Sequence, residues 1–206
     1  MRKGKRYFSL ILAGLLAVSL LAGCGGQEKK DKNTLTVAIA ADPPTLDPHA
    51  ASIDSAVNNL NPVYETLVKY DDDGEIVPCL ATEWERIDDL RWRFKLRNDV
   101  KFHNGEKMTA NDVLFSFREQ LDRRSEVAYI MSAIDAENCV VEDDYTIVIA
   151  THEPFGPLIG YLPYIGAVVV SEKEFTENPE KAAMNPVGTG PFKFIEWKKN
   201  DSVLMS

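Results

Sequence analysis

Residues 80–105 read LATEWERIDDLRWRFKLRNDVKFHNG. At the centre of this stretch Leu90, Trp92, Phe94 and Leu96 alternate with Arg91, Arg93, Lys95 and Arg97. A period of two places the apolar side chains on one face of a strand and the cations on the other, which is the pattern of a half-buried antiparallel strand with a basic outer face. Asp88-Asp89 interrupts the alternation with turn chemistry and sets this strand against a preceding one at 84–87. The design recurs downstream, where Asp143-Asp144 separates residues 139–141 from 145–150, and Tyr145, Ile147 and Ile149 alternate. Two such units predict an antiparallel sheet.

Between the two units, Thr109-Ala110-Asn111-Asp112 resembles a capping box, and Val113, Leu114, Phe117 and Leu121 follow at helical spacing. The spacing predicts a helix over 110–123, ended by Asp122-Arg123-Arg124-Ser125. Upstream, Leu35, Val37 and Ile39 alternate and predict a strand over 34–40. This strand runs into Ala41-Asp42-Pro43-Pro44-Thr45-Leu46-Asp47-Pro48, a loop that no helix or central strand can hold. A helix is expected over 52–60, with helical continuation through 62–67 behind Pro62 at a first-turn position. Asp71-Asp72-Asp73-Gly74 is a turn by composition. Residues 154–163 form an aromatic, Gly/Pro-broken loop or short helix, and the apolar run 165–170 predicts a buried strand. Asn185-Pro186-Val187-Gly188-Thr189-Gly190-Pro191 is a tight loop, followed by a strand through Trp197, a turn at 198–201 and a further strand from Ser202.

The 206 residues are 45% apolar and 27% charged, a composition that builds a core rather than a disordered chain. The formal net charge is −9. Nucleic-acid binding needs clustered Lys and Arg to neutralise phosphates, so the acidic balance argues against it. The basic stripe of the central strand is therefore read as a solvated face.

The first residues form an address. Arg2, Lys3, Lys5 and Arg6 precede an apolar run to Ala22 that is too short to remain in a bilayer as a spanning helix. The run ends Leu21-Ala22-Gly23-Cys24, which resembles the lipobox of bacterial lipoproteins. That resemblance implies a signal peptide over 1–23, cleavage before Cys24, and a diacylglyceryl group on Cys24 as the membrane anchor. Residues 24–33, rich in Gly and charge, read as a flexible tether. Residues 1–23 carry four cations and no acid, so the chain from Cys24 holds 19 Lys+Arg against 32 Asp+Glu, a net −13. Such a charge stands off an anionic lipid surface. Outside the cytoplasm a disulfide between Cys79 and Cys139 is allowed. Nothing in the sequence fixes their distance, and two separate thiols acting as small apolar residues are the favoured reading.

Chemistry is sparse. His49, His103 and His152 share no zinc-ligand spacing, and no Gly-x-Ser-x-Gly elbow occurs. Gly188-Thr189-Gly190 lacks the lysine or third glycine of phosphate loops. Paired aspartates sit in turns, where carboxylates are solvated. The reading is of no enzyme, no catalytic residue, no metal site and no cofactor.

Six segments in order carry a family resemblance. They are Ala41 to Pro48, Val63-Tyr64-Glu65-Thr66-Leu67, Gly74-Glu75-Ile76-Val77-Pro78, the opening stretch 80–105, Thr109-Ala110-Asn111-Asp112-Val113, and Pro186-Val187-Gly188-Thr189-Gly190-Pro191-Phe192. Together they resemble the family 5 solute-binding lipoproteins of bacterial peptide, dipeptide and nickel ABC importers. Cys79 stands where that family usually has Gly. The resemblance implies an α/β (mixed α+β), periplasmic-binding-protein-like fold. It implies the first lobe with its extra subdomain: residues 34–61 with 186–206 as an incomplete lobe core, and 62–185 as the subdomain. Family members are more than twice as long, so the second lobe is expected to be absent and the 206 residues to be a binding-impaired fragment. The implied function is capture of a peptide-like solute by lobe closure, for delivery to ABC permease subunits and their ATPases at the outer face of the cytoplasmic membrane. A nickel-binding or other solute-binding member, and a lipoprotein without ligand, are the alternatives. By the same resemblance the first-lobe ligand candidates are Asp42, Pro43, Thr45 and Leu46, then Tyr64 and Gly188, Thr189 and Gly190. A stiff Pro-Pro loop loses little entropy on binding, and glycines let a backbone approach a ligand.

Overall fold

The two predicted hairpins join into a single sheet. The computed structural model describes residues 33–52, 54–123 and 128–206. The expected signal peptide, Cys24 and nearly all of the tether lie outside the described residues. The chain divides into two compact units, Met1–Ala38 and Ile39–Ser206. Of the first, only residues 33–38 are described. They carry no strand, and Leu35 and Val37 are 84% and 70% exposed. The strand expected over 34–40 is therefore not found: alternation names the two faces of a strand but supplies no ladder partner.

In the second unit, α1 (Asp54–Leu60) leads to a small hairpin, β1 (Val68–Tyr70) and β2 (Ile76–Pro78). Its turn is held by Asp71 Oδ1, which accepts the backbone N–H groups of Asp73 and Glu75 at 3.0 and 2.9 Å. Gly74 sits in this turn at φ +81°, a conformation that costs glycine nothing. Next come β3 (Ala81–Arg86), β4 (Arg91–Leu96), α2 (Ala110–Arg123), β5 (Val140–Asp143) and β6 (Thr146–Ala150). The sheet order is β3-β4-β6-β5, antiparallel throughout, with Phe94 opposite both Trp84 and Ile147. On its outer face Arg93 pairs with Glu85 and Glu142, each at 2.9 Å, and Lys95 with Glu83 at 3.1 Å. The basic stripe is a solvated face studded with carboxylates.

The chain continues through α3 (Leu158–Tyr161), a 3-10 turn at Ile165–Ala167, α4 (Glu172–Glu177) and α5 (Pro179–Ala182). It closes with the hairpin β7 (Phe194–Lys198) and β8 (Ser202–Met205). Two expectations fail here for physical reasons. Residues 62–67 are not helical, because their carbonyls bond distant segments: Leu80 N–H reaches Thr66 O at 3.1 Å, Ala81 N–H reaches Leu67 O at 2.9 Å, and Val169 N–H reaches Glu65 O at 2.9 Å. Residues 165–170 are buried as expected but form no strand. The run opens with the 3-10 turn, and Val170 N–H bonds the Ser116 hydroxyl at 2.9 Å rather than a ladder partner.

Two core clusters result. The first sets Phe94, Ile147 and Ile149 of the sheet against Val113 and Phe117 of α2. The second gathers Leu46, Leu60, Val63, Tyr64 and Phe175, with Phe115, Phe194 and Trp197 packed against it. Val169 enters the first cluster while its neighbours Val168 and Val170 enter the second. Cys79 and Cys139 are free thiols, as the favoured reading had it, and burial pushes each up to about 11.

Phe94 is fully buried at the centre of the sheet. Phe94→Ala should cost about 3–5 kcal/mol in denaturant unfolding, from lost transfer energy plus a cavity. Lys95→Ala, one residue along on the outer face, should leave the unfolding midpoint where it is.

Candidate functional site

The loop after residue 40 is fixed at both ends. Asp42 is half-buried, and its Oδ1 accepts the Trp197 indole N–H at 3.0 Å, which pins the start of the loop to β7. Pro43 is buried, and Leu46 is fully buried in the second core cluster. Thr45 Oγ1 accepts the Asp47 N–H at 3.0 Å. Asp47, 4% exposed, anchors the far end. Its carboxylate accepts the His49 N–H at 3.0 Å and forms an ion pair with Arg123 at the end of α2.

Arg123 also pairs with Glu119, one helical turn back, and Glu119 meets His49 Nδ1 at 3.2 Å. The result is a chain of four charged or titratable groups, Asp47–Arg123–Glu119–His49, closed over by the Phe175 ring. Phe175 lies 5.8 Å from both the His49 ring and the Arg123 guanidinium. Burial alone would raise the Glu119 carboxyl, but its bonds to His49 and Arg123 outweigh this and hold it below the ordinary carboxylate value. Burial likewise works against the Arg123 charge, and Asp47 and Glu119 together raise its pKa regardless.

Tyr64 is 3% exposed, and its hydroxyl has no hydrogen-bond partner among the described residues. Burial, then the negative charge of Asp47, pushes the phenol far above its usual value. The Val187 backbone works weakly the other way without reaching hydrogen-bond geometry. The Gly188-Thr189-Gly190 loop lies directly on the Pro62-Val63 backbone and against the Tyr64 ring. A Cβ on Gly188 would stand 1.9 Å from Val63 O and 2.9 Å from Tyr64 Cδ1, and one on Gly190 would stand 2.5 Å from Pro62 O. Gly190 N–H donates to Val63 O at 2.9 Å. Both glycines are thus required by close backbone approach, and neither has a positive φ. The Thr189 hydroxyl is buried without a partner among the described residues.

The structure therefore brings Tyr64 against Gly188, Gly190 against Pro62 and Val63, and Leu46 into the same cluster as Tyr64. Asp42 and Thr45 stand at the loop surface, half-buried. His49, Glu119, Arg123, Trp197 and His103 escaped the sequence reading. The i,i+4 spacing of Glu119 and Arg123 was a usable signal for an ion pair, but their pairing with His49 and Asp47 spans 70 and 76 residues and had none. Among the described residues no group of three His, Cys, Asp or Glu could hold a metal ion, and no helix is long and apolar enough to cross a membrane. A separate open hollow of about 600 Å³ is lined by Tyr129, Tyr161 and Tyr164 with Ile76 and Pro157, and none of the sequence-derived candidates reaches it. The two loops are held by packing and backbone bonds, and Asp42 and Thr45 keep half-buried polar side chains at the surface.

Comparison with known proteins places these features in context. Residues 75–206 match the family described as bacterial extracellular solute-binding proteins, family 5 Middle. The probable D,D-dipeptide-binding periplasmic protein DdpA of Escherichia coli is 31% identical over 189 residues, covering 84% of this chain and 36% of that protein. The nickel-binding periplasmic protein of the same species is 34% identical over 145 residues, covering 67% and 27%. The structure of the periplasmic binding protein DppA from Helicobacter pylori in complex with the peptide STSA superposes with a TM-score of 0.72 at 29% identity, covering 80% of this chain and 37% of that one. The chain spans about a third of the length of the relatives it matches.

Gly188→Ala should destabilise the protein by about 1–3 kcal/mol in denaturant melts, since the clash is with backbone. Gly156→Ala, with nothing within 4 Å of the added methyl, should leave the midpoint unchanged. The depressed Glu119 carboxyl contributes stability that is present above its ordinary value of 4.5 and lost as pH falls through its lower folded value. Glu119→Gln should therefore flatten the acid limb of a stability–pH curve below 4.5 and leave its slope at neutral pH unchanged.

Proposed function

The chain belongs to the family 5 bacterial extracellular solute-binding proteins, and we propose that it acts as an extracytoplasmic solute-binding component of an ABC importer, with peptides as the solute. The observation that carries this reading is that Leu46 of one loop shares the core cluster of Tyr64, against whose ring Gly188 of the other loop lies, within a chain whose relatives are named for dipeptides, oligopeptides and glutathione. Peptides present backbone amides and carbonyls at every residue. A wall of stiff main chain with few mobile side chains suits a ligand recognised by its backbone. Capture would proceed by closure of a second wall over the ligand, followed by delivery to permease subunits driven by ATPases. The reading assigns binding and transport, with no catalytic step and no cofactor.

The 206 residues supply one wall of such a cleft. The boundary between lobe core (34–61 with 186–206) and subdomain (62–185) is part of the same proposal. So is anchoring at the outer face of the cytoplasmic membrane through a diacylglyceryl group on Cys24, which rests on the Leu21-Ala22-Gly23-Cys24 sequence. Nickel is the second reading, favoured by the nickel-binding relative.

Titration of the isotope-labelled chain with a tripeptide should shift the amides of Asp42, Thr45, Gly188 and Gly190 in fast exchange, with a Kd weaker than about 100 μM because half the ligand surface stays in water. Shifts with nickel and none with peptide would replace the peptide reading by the metal one. An absence of shifts with either would remove these loops from the ligand wall, and micromolar binding by this chain would overturn the one-wall account. For the anchor, Cys24→Ala should move the protein from the membrane to the soluble fraction of a lipoprotein-processing bacterium, with loss of the diacylglyceryl mass.

A further inference from the structure

His103 lies on the loop after residue 100, far in sequence from the Gly188–Gly190 loop, yet it bonds that loop three times. Its backbone N–H donates to Gly188 O at 2.9 Å. Its imidazole Nδ1 faces the Gly188 N–H at 3.4 Å, and Nε2 faces Gly190 O at 2.8 Å. An N–H can only donate and a carbonyl can only accept, so these partners fix the ring chemistry. Nδ1 must carry the lone pair and Nε2 the proton. One neutral tautomer satisfies both bonds. The imidazolium cannot, because its Nδ1–H would point at another N–H.

The loop is also pressed on Pro62, Val63 and Tyr64, where the glycine spacing leaves no slack. The imidazole thus completes a clamp, its bonds to Gly188 and Gly190 added to the bond from Gly190 N–H to Val63 O. The charged groups on adjoining elements are engaged among themselves. On the same turn Asn104 bonds Glu106 at 3.0 Å, Glu106 pairs with Lys173 of α4, and Asn104 reaches Glu174 of α4 at 3.4 Å. Lys101 and Lys107 flank the turn through a β-bridge. Both hydrogen bonds of the His103 ring go to the loop backbone rather than to any of these groups.

We propose that His103 is a positioning residue for the Gly188–Gly190 loop of the ligand wall, holding it in shape through the neutral Nε2–H tautomer of its imidazole. The proposal rests on the reading of that loop as part of the wall. The ligand meets the loop, and His103 acts through it.

The test uses the ligand-free 206-residue chain, so that its outcome does not depend on which solute binds. Nitrogen shifts of the neutral imidazole should show His103 protonated at Nε2 and bare at Nδ1; the opposite tautomer would overturn the proposal. His103→Gln keeps a donor toward Gly190 O but loses the imidazole acceptor, so the hydrogen-exchange protection factor of the Gly188 amide should fall about five- to tenfold in this variant, the loss of one hydrogen bond. The Ala81 amide, bonded to Leu67 O at 2.9 Å away from this loop, should hold its protection in the same variant. Unchanged Gly188 protection, or an equal fall at Ala81, would overturn the proposal. The peptide titration separates the two readings. If the tautomer and the Gly188 effect hold while peptides leave the loop unmoved, the clamp stands and the ligand wall falls. If peptides move the loop while His103→Gln leaves Gly188 protected, the wall stands and the clamp falls.

Discussion

The carbonyl groups of Pro62 to Leu67 are the seam on which the second unit closes. Pro62 O accepts from Phe192, Val63 O from Gly190, Glu65 O from Val169, Thr66 O from Leu80 and Leu67 O from Ala81. A helix would have spent these acceptors on its own N–H groups. Left outside a helix, they bond three remote parts of the chain: the start of the sheet, the buried apolar run and the glycine loop. Buried carbonyls need partners, and here the partners are what assembles the tertiary structure.

The run 167–170 shows how this seam organises packing. Anchored at Val169 to Glu65 and at Val170 to Ser116, it lies between two apolar clusters and sends alternate side chains into each. Helix α2 does the same on its own scale, with Phe117 in the first cluster and Phe115 against the second. The far end of that helix then carries Glu119 and Arg123 into contact with Asp47 and His49. Removing four such groups from water is costly, and mutual pairing offsets the cost only when the geometry is complete. A network of this kind is a poor source of net stability and a good source of register. It allows the loop between Asp42 and Asp47 one position relative to α2.

The chain belongs to a family of extracellular solute-binding proteins. The proposed ligand wall draws on what these constraints leave free, Asp42 and Thr45, half-buried at the surface of a loop tied down at both ends. The Tyr64 hydroxyl is enclosed in the core, where burial and the nearby Asp47 carboxylate raise its pKa far above the usual value. The fold positions the loops, and in the proposed function the groups they present take part in selecting the solute.

The sequence by itself determined the elements whose signal is local. The alternation of Trp92, Phe94 and Leu96 fixed β4 and its inward face, because a period of two needs no knowledge of the partner, while Leu90, ahead of the strand, is exposed. The spacing of Val113, Leu114, Phe117 and Leu121 behind Thr109 fixed α2, and aspartate pairs fixed the turns. The glycines of the 188–190 loop were visible as special, but their reason was not. Backbone freedom and ligand approach were both plausible, and only the position of Val63 showed that space decides. The tertiary structure alone settled that residues 62–67 do not continue the helix, that the two hairpins share one sheet through β4 and β6, and that His49 and His103 have partners seventy or more residues away. The physical reason is the same in each case. Local patterns report a residue's own conformational and solvent preference, whereas a hydrogen bond or ion pair between distant segments depends on where both ends have been carried, and that is known only once the chain has folded.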